Sequence, residues 1–274
     1  MTGSRVRLPF AGRHPGIVMA RPALRSLKHE YELFLEAEIE RYKESVPRTV
    51  ILKIADEAVA LLRAQPQYEP EELGLCDEVN RLIRSRLGLP TYESWRRKRL
   101  KVLAEYQRPE RWGLRADAPL LREVRPAAES HVLVSGSEVE RSALYLAAHG
   151  CAVTALNPYE HAIERVVFAA APAGLNSLVR VCVARLGEWE PDVALSAVVC
   201  AAESLASLTV EERARVIAVL QSATRDGGVH LFETSGTDHH LTVEELRIRY
   251  TGWTIAVDRP SGTTRSFVAR KVAA

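Results

Sequence analysis

The sequence lacks any apolar run long enough to cross a membrane, and it contains little cysteine. No uninterrupted apolar stretch approaches the ~20 residues that a transmembrane helix needs, and the N-terminus has arginines but no apolar segment typical of a secretory signal. The four cysteines form no C-x-x-C pair and show no metal-ligand spacing: Cys76, Cys151, Cys182 and Cys200. Three of them lie in apolar runs, where a reduced cysteine is a small core residue. We therefore expect a cytoplasmic protein with no metal site.

An excess of charge of one sign is also absent, because 37 basic residues are balanced by 35 acidic ones. The overall charge therefore gives no reason to expect a nucleic-acid partner. The composition, 47% hydrophobic and 26% charged, is typical of a folded globular protein. A chain of 274 residues is long enough for one large domain or two ordinary ones.

Residues 1 to 23 are predicted to form a basic extended arm. Prolines and glycines interrupt any regular element there, and no acidic residue precedes Glu30. The arm carries four arginines: Arg5, Arg7, Arg13 and Arg21. A solvated terminus is the simpler interpretation. Apolar residues such as Phe10 and Ile17 favour an arm that becomes ordered on a partner, which would be a protein or an acidic membrane surface.

Residues 24 to 112 show a helical pattern, with apolar residues recurring at intervals of three and four. Pro47 stands where a second helix would begin. Gly88 would end a third helix, and Thr91 is suited to cap a fourth. The pattern predicts a small helical bundle, followed by a proline-containing linker over residues 113 to 129.

The fourth helix carries the densest basic run in the chain, consisting of Arg96, Arg97, Lys98, Arg99 and Lys101. Lysine and arginine are good helix formers, so a solvated helix face is the simpler interpretation. Binding to phosphate or to an acidic protein surface is the alternative. The run lacks the aromatic residues on which single-stranded nucleic acids stack. A protein partner is therefore expected before a nucleic acid.

From residue 130 to the C-terminus, apolar strands alternate with helices, beginning with HVLVS and CAVTALN. Thr209 with Glu212 and Thr242 with Glu245 form capping boxes that open two of the helices. Such alternation predicts a parallel sheet with helices on both faces. The last two strands are separated by a short turn and must form an antiparallel hairpin. The predicted fold class is α/β, a Rossmann-like seven-stranded sheet preceded by the helical bundle.

Three segments of this half resemble class I S-adenosylmethionine-dependent methyltransferases: SALYLAAHGCAVTALNPYEHAIERV, RVCVARLGEWEP and LTVEERARVIAVLQSATRDGGVHLF. The resemblance covers residues 130 to 274 and does not extend to the helical half. It implies the seven-stranded sheet of that family. It also implies a cofactor site outside the carboxyl ends of the strands.

The positions that the resemblance assigns to the cofactor are largely rewritten. In the loop after the first strand only Gly136 matches the family's glycines, and Glu138 and Glu140 put charged side chains where the family has none. Asn157 replaces the acid that accepts the ribose hydroxyls. Arg185 replaces the acid that accepts from the adenine amino group, and a guanidinium has only donors. We therefore interpret these five positions as vestigial.

The end of the fourth strand departs from the family pattern as well. Ala197, Ala206 and Ser207 stand where the family has acidic and catalytic polar residues. Each lost contact costs about 1–3 kcal/mol at a buried site, and together they approach the ~8 kcal/mol of micromolar binding. No catalytic residue and no bound cofactor are therefore expected.

Two functions follow, and nucleic-acid binding ranks behind both. The first is a non-catalytic methyltransferase-like scaffold or accessory subunit that binds a protein partner in a larger assembly. The second is an active S-adenosylmethionine-dependent methyltransferase with an atypical site, acting on a small molecule or a protein. Glu138 or Glu140 would then pair with the cofactor's ammonium group, and Glu203 or the His239-His240 pair would act as general base. For the two histidines, a polar loop before a capped helix is the simpler interpretation.

Overall fold

The computed structural model describes residues 26–64, 72–235, 242–257 and 264–273. The chain divides into two compact units, Met1–Arg96 and Arg97–Ala274. The predicted arm, the turn of the final hairpin, and His239 and His240 all lie outside the described residues. Within the described residues, no helix has the length and apolar character needed to cross a membrane.

The first unit is helical, as predicted. It contains α1 (Leu27–Ser45), α2 (Arg48–Arg63), α3 (Glu72–Leu87) and the start of α4 (Tyr92–Tyr106). Ser26 caps α1 by accepting the N–H of His29 at 3.2 Å. Ile54 and Ile83 are fully buried at the centre of its core. The predicted bundle reached residue 112, whereas the compact unit ends within α4.

The segment predicted as a linker, residues 113 to 129, is part of the second unit's core, which corrects that prediction. A 3-10 turn (Pro109–Trp112) precedes it, and it contains the short helix α5 (Pro119–Glu123). Leu120 and Val124, one helical turn apart, are buried against the sheet. Pro119, a proline of this segment, is the first residue of α5. At that position its missing N–H breaks no hydrogen bond of the helix.

The second unit is built on a seven-stranded sheet. Its strands are β1 (His131–Ser135), β2 (Ala152–Asn157), β3 (Val179–Val183), β4 (Leu195–Ala201), β5 (Thr224–Ser235), β6 (Thr254–Val257) and β7 (Thr264–Arg270). Its further helices are α6 (Val139–Ala148), α7 (Glu160–Ala173), α8 (Glu203–Ala206), α9 (Val210–Ala223) and α10 (Val243–Arg249). The strand order is β3-β2-β1-β4-β5-β7-β6, and only the pairs that include β7 are antiparallel. The predicted fold class is confirmed.

Each face of the sheet is covered by its own hydrophobic core. Helices α5, α6 and α7 pack on one face, where Leu144 and Val166 are fully buried. Helices α9 and α10 pack on the other, where Ile217 and Leu246 are buried against Phe232. The first three strands form one half of the sheet, in the order β3-β2-β1. The chain then crosses over to β4, which pairs with the other edge of β1. A crevice therefore opens between the loops that follow β1 and β4.

A histidine is fully buried inside the second core. His230 on β5 lies 2.7 Å from Thr224 Oγ1 through Nε2 and 2.6 Å from the hydroxyl of Tyr250 through Nδ1. The Thr224 hydroxyl donates its single proton to the carbonyl of Leu220 at 2.6 Å, so His230 Nε2 must donate to Thr224 and Nδ1 must accept from Tyr250. Burial, aided by the charge of Lys271, lowers the pKa of His230 to about 3.

This histidine should make the folded unit sensitive to acid. The unfolded ring binds a proton near pH 6.5 and the folded ring only near pH 3, so stability falls with decreasing pH across that window. The loss is about 1.4 kcal/mol per pH unit. We expect His230→Gln to be less stable than the wild type at pH 7.5. The difference should narrow by about 2 kcal/mol at pH 5, as measured by urea unfolding.

The matched control for this prediction is His161→Gln, because His161 is exposed. At pH 7.5 its urea midpoint should equal that of the wild type. A His230→Gln difference that stays constant from pH 7.5 to 5 would show that the buried ring takes up a proton without cost.

Candidate functional site

A cavity of about 480 Å³ opens at the carboxyl ends of β1, β2 and β4. Ligands bind at this point in doubly wound folds, and the volume falls in the range of small-molecule sites. The lining residues come from the loops after these strands and from the 3-10 turn (Leu186–Glu188): Ser135, Gly136, Ser137, Asn157, Pro158, Tyr159, His161, Ala162, Arg165, Arg185, Leu186, Glu203, Ser204 and Ser207. The cavity is therefore the candidate functional site.

Gly136 lies where the loop after β1 passes close to β4. Its φ is +126°, and a Cβ atom at this position would lie 2.5 Å from the Cβ of Ala201. Only glycine tolerates both the backbone conformation and the close approach. The one glycine that this loop shares with the family pattern is thus required by packing of the chain against itself.

The amide that follows Gly136 is occupied by a carboxylate of the same chain. Glu203 on α8 accepts the N–H of Ser137 through Oε1 at 2.6 Å, and Ser135 Oγ donates to Ser204 Oγ at 3.1 Å. The two bonds join the β1 loop to α8. Glu203, a base candidate from the sequence, does lie in the cavity, but its carboxylate is already bonded.

Both the nitrogen and the oxygen of the Asn157 side-chain amide, at the end of β2, form hydrogen bonds. Nδ2 donates to the carbonyl of Gly136 at 2.8 Å, and Oδ1 accepts the N–H of Tyr159 at 2.9 Å. The side chain is buried. At most one lone pair of Oδ1 is left for a ligand, whereas a carboxylate would offer two oxygens. Asn157 therefore serves the structure of the loops first.

Glu138 and Glu140, which the sequence places in the loop after β1, lie away from the cavity. Neither residue lines the cavity. Glu138 pairs with Arg141 at 2.9 Å, and Glu140 pairs with Arg165 at 3.1 Å. Both acids lie at the start of α6, where the helix dipole favours negative charge. These ion pairs hold the carboxylates outside the cavity, so neither is placed to pair with a cofactor ammonium.

Cationic and aromatic side chains line the side of the cavity opposite the β1 loop. Arg185 precedes the 3-10 turn, and its guanidinium forms no ion pair within the described part of the chain. Arg165 uses only Nε towards Glu140, which leaves the other donors of its fork available. The ring of Tyr159 is 65% exposed and its centroid lies 5.7 Å from that of His161. The cavity thus offers donors where the family pattern has acceptors.

The positions predicted at the end of β4 are separated by the structure. Ala197 is buried in the middle of β4, between Val132 and Val229. Ala206 lies in α8 and does not line the cavity, whereas Ser207 does. Of these three positions, only Ser207 can contact a ligand.

Burial disfavours the thiolate form of three cysteines. Cys200 near the end of β4 is fully buried, and this raises its pKa to about 12. Burial also raises the pKa of Cys151 and of Cys182. All four cysteines are free, as predicted from their positions in the sequence. Among the described residues, no three His, Cys, Asp or Glu side chains are grouped so that they could hold a metal ion.

The basic run of α4 is only partly available to a partner. Arg97, Lys98 and Lys101 are exposed, as is Arg96. Arg99 instead lies against the end of α7, so close that a Cβ atom on Gly174 would be 2.9 Å from its Nη2. A cation is favoured at this helix terminus. Arg99 therefore has a structural contact and is removed from the predicted binding face.

Two features of the site were missed from the sequence. The bond from Glu203 to the β1 loop depends on α8, a helix too short to give a periodic signal. Tyr159 and Arg165 were not singled out. Their positions just after β2 and on the first turns of α7 were the available signal, because residues after a strand lie at the carboxyl edge of the sheet.

Comparison with known proteins shows similarity only at the level of structure. No family model matches the chain, and no curated protein matches it either. TehB from Haemophilus influenzae matches over 52% of this chain and 58% of its own, with 17% identity and a TM-score of 0.44. The CcbJ methyltransferase from Streptomyces caelestis matches over 54% and 86%, with 15% identity and a TM-score of 0.47.

The N-methyltransferase NodS from Bradyrhizobium japonicum, in complex with S-adenosyl-L-homocysteine, matches over 64% of this chain and 85% of its own, with 17% identity and a TM-score of 0.44. These identities and scores are too low to carry any argument about function. The observed strand order, with its terminal antiparallel hairpin, gives the second unit the fold of class I S-adenosylmethionine-dependent methyltransferases. The fold covers about half of the chain, as predicted.

The two side-chain hydrogen bonds of Asn157 should contribute measurably to the free energy of unfolding. Asn157→Asp keeps the acceptor for Tyr159 but replaces the donor to Gly136 by a carboxylate that faces a carbonyl. We expect a loss of about 1–3 kcal/mol at pH 7 and a melting temperature lower by several degrees. Protonation restores a donor, so the loss should shrink as the pH falls towards 4.

Asn176→Asp, at an exposed position, is the matched control and should leave the melting temperature unchanged. Equal melting temperatures for both variants at pH 7 would mean that the Asn157 amide is not needed to hold the loops.

Proposed function

We propose that this protein is a non-catalytic methyltransferase-like accessory subunit, whose cavity does not hold S-adenosylmethionine. The observation that carries the proposal is the state of Asn157. Its amide joins the β1 loop to α7 and cannot offer the paired acceptors that the ribose hydroxyls require. The strands and helices around Asn157 are those of the complete fold, so the cavity is present. Its hydrogen-bonding groups differ from those that the resemblance assigns to a cofactor site.

The remaining side chains of the cavity support the same proposal. Arg185 can only donate, so it cannot accept from an adenine amino group. Within the described part of the chain Glu203 is the only carboxylate on the lining, and its Oε1 is bonded to Ser137. Methyl transfer to an oxygen or nitrogen needs a base that can reach the substrate. One oxygen of the Glu203 carboxylate is already bonded to the protein's own backbone.

The alternative is an active methyltransferase with an atypical site, and one observation favours it. The cavity is open, because the ion pairs of Glu138 and Glu140 hold both acids outside it. The steric objection to a bound cofactor therefore does not apply. What separates the two functions is the hydrogen-bonding polarity of Asn157 and Arg185.

Calorimetric titration with S-adenosylmethionine and with its demethylated product separates these functions. We expect no dissociation constant near or below 10 μM, which corresponds to about −7 kcal/mol. An active methyltransferase of the same fold serves as the positive control for the ligand stocks. Binding at or below that concentration, or transfer of a labelled methyl group to any acceptor, would establish the alternative function.

The partner of the accessory subunit is proposed to contact the basic arm, residues 1 to 23, and the exposed cations of α4. Deleting residues 1 to 23 should leave the melting temperature of the sheet unit unchanged, because the prolines and glycines of this segment predict an extended arm outside either core. Co-purification with the native partner should fall sharply, and further at high salt, since exposed charge pairs are screened.

The control for this deletion is the full chain with Arg5, Arg7, Arg13 and Arg21 all replaced by glutamine, which separates charge from the apolar residues of the arm. A deletion that lowers the melting temperature by several degrees while the partner is retained would identify the arm as an internal strap.

A further inference from the structure

We infer that the cavity binds an anionic ligand of nucleotide size, held by Arg185 and Arg165. The inference rests on the proposed function in one respect, namely that S-adenosylmethionine does not occupy the cavity. The class I fold places donors of an adenosyl ligand against acceptors of the protein. Here the polarity is reversed, and a ligand complementary to this cavity must bring acceptors.

The first step is the balance of charge on the lining. Among the described residues of the lining, Arg165 and Arg185 contribute two guanidinium groups and Glu203 contributes the only carboxylate. Glu140, outside the lining, offsets part of the charge of Arg165. Arg185 forms no ion pair within the described residues, and Arg165 has used only Nε. A planar guanidinium with free N–H groups binds a phosphate or carboxylate through two parallel hydrogen bonds. The cavity therefore presents two such forks to a ligand.

The second step is the start of α7, which borders the cavity with Pro158, Tyr159, His161 and Ala162. No side chain caps this helix. The Ala162 amide donates to the carbonyl of Tyr159 at 3.1 Å, and the amides of Glu160 and His161 have no side-chain acceptor. The positive end of the helix dipole adds to the arginines in favouring negative charge. Glu160 in the first turn opposes this, but it is exposed and does not line the cavity.

The third step is the size and the aromatic wall. A volume of about 480 Å³ exceeds what a bare phosphate ion fills. The exposed ring of Tyr159, next to His161, offers a flat surface on which a planar base can stack. An anionic group together with a planar ring describes a nucleoside monophosphate, so adenosine 5′-monophosphate is a suitable probe.

Glu203 gives the inference its sharpest test. It is the only negative charge among the lining residues that the structure describes, and it lies against the Ser137 amide. Glu203→Gln keeps an oxygen that accepts this N–H but removes the charge. An anionic ligand should bind the Glu203→Gln variant more tightly and the Arg185→Gln variant more weakly. A neutral ligand should respond to neither charge in this way.

The experiment is calorimetry on the full-length protein at low salt with adenosine 5′-monophosphate, adenosine and inorganic phosphate. We expect the monophosphate to bind and adenosine to bind at least about tenfold more weakly, the effect of losing one charge-assisted contact. Arg185→Gln should weaken the monophosphate about tenfold, and Glu203→Gln should strengthen it several-fold. Arg247→Gln, an exposed cation of α10, is the control and should change nothing.

Equal affinity for adenosine and its monophosphate, or an equal response of the Arg185→Gln and Arg247→Gln variants, would overturn the inference. Absence of binding by both the monophosphate and phosphate would overturn it too. Binding of phosphate alone, unaffected by Arg185→Gln, would show an adventitious anion and have the same consequence. The proposed function fails separately, if S-adenosylmethionine itself binds at or below 10 μM, about −7 kcal/mol, or if a labelled methyl group is transferred.

Discussion

The buried amide of Asn157 holds the loop after β1 and the start of α7 in fixed positions. It donates to one segment and accepts from the other, so the two cavity walls are defined by contacts of the chain with itself. Gly136 can take its place in this arrangement because no Cβ separates it from Ala201. The Glu203–Ser137 bond fixes the third wall in the same way. The cavity therefore keeps its shape without requiring a ligand to order it.

The same contacts decide the chemistry of the cavity. Residues that would meet a ribose or an adenine through acceptors are either used internally, as Asn157 is, or replaced by a donor, as at Arg185. The acids that the sequence placed in the cavity are drawn away by ion pairs at the start of α6. The hydrophobic cores of the two sheet faces are complete, and Arg165 and Arg185 bring hydrogen-bond donors to the crevice.

The boundaries of the two units could be predicted from the sequence only in part. Helix periodicity located α1 to α4, but the boundary of the compact unit falls inside α4 and leaves no composition signal. Prolines in residues 113 to 129 indicated a linker, and one of them begins α5 instead. Leu120 and Val124 are buried in the core because α5 covers apolar residues of β5 and its neighbours, which would otherwise be exposed to water. A proline interrupts the interior of a helix but is favoured at its first position. A proline alone therefore does not distinguish a linker from the start of a helix.

The sequence by itself determined the order of strands and helices, both capping boxes of the sheet unit and the final hairpin. These are local properties, set by hydrophobic period, turn residues and side-chain chemistry. The tertiary structure decided where those side chains point. Glu138 and Glu140 leave the cavity because Arg141 and Arg165 lie within reach, and Glu203 enters it because a four-residue helix carries it to the Ser137 amide. Such partners are far apart in the chain, and no local pattern encodes which of them an ionised side chain will meet.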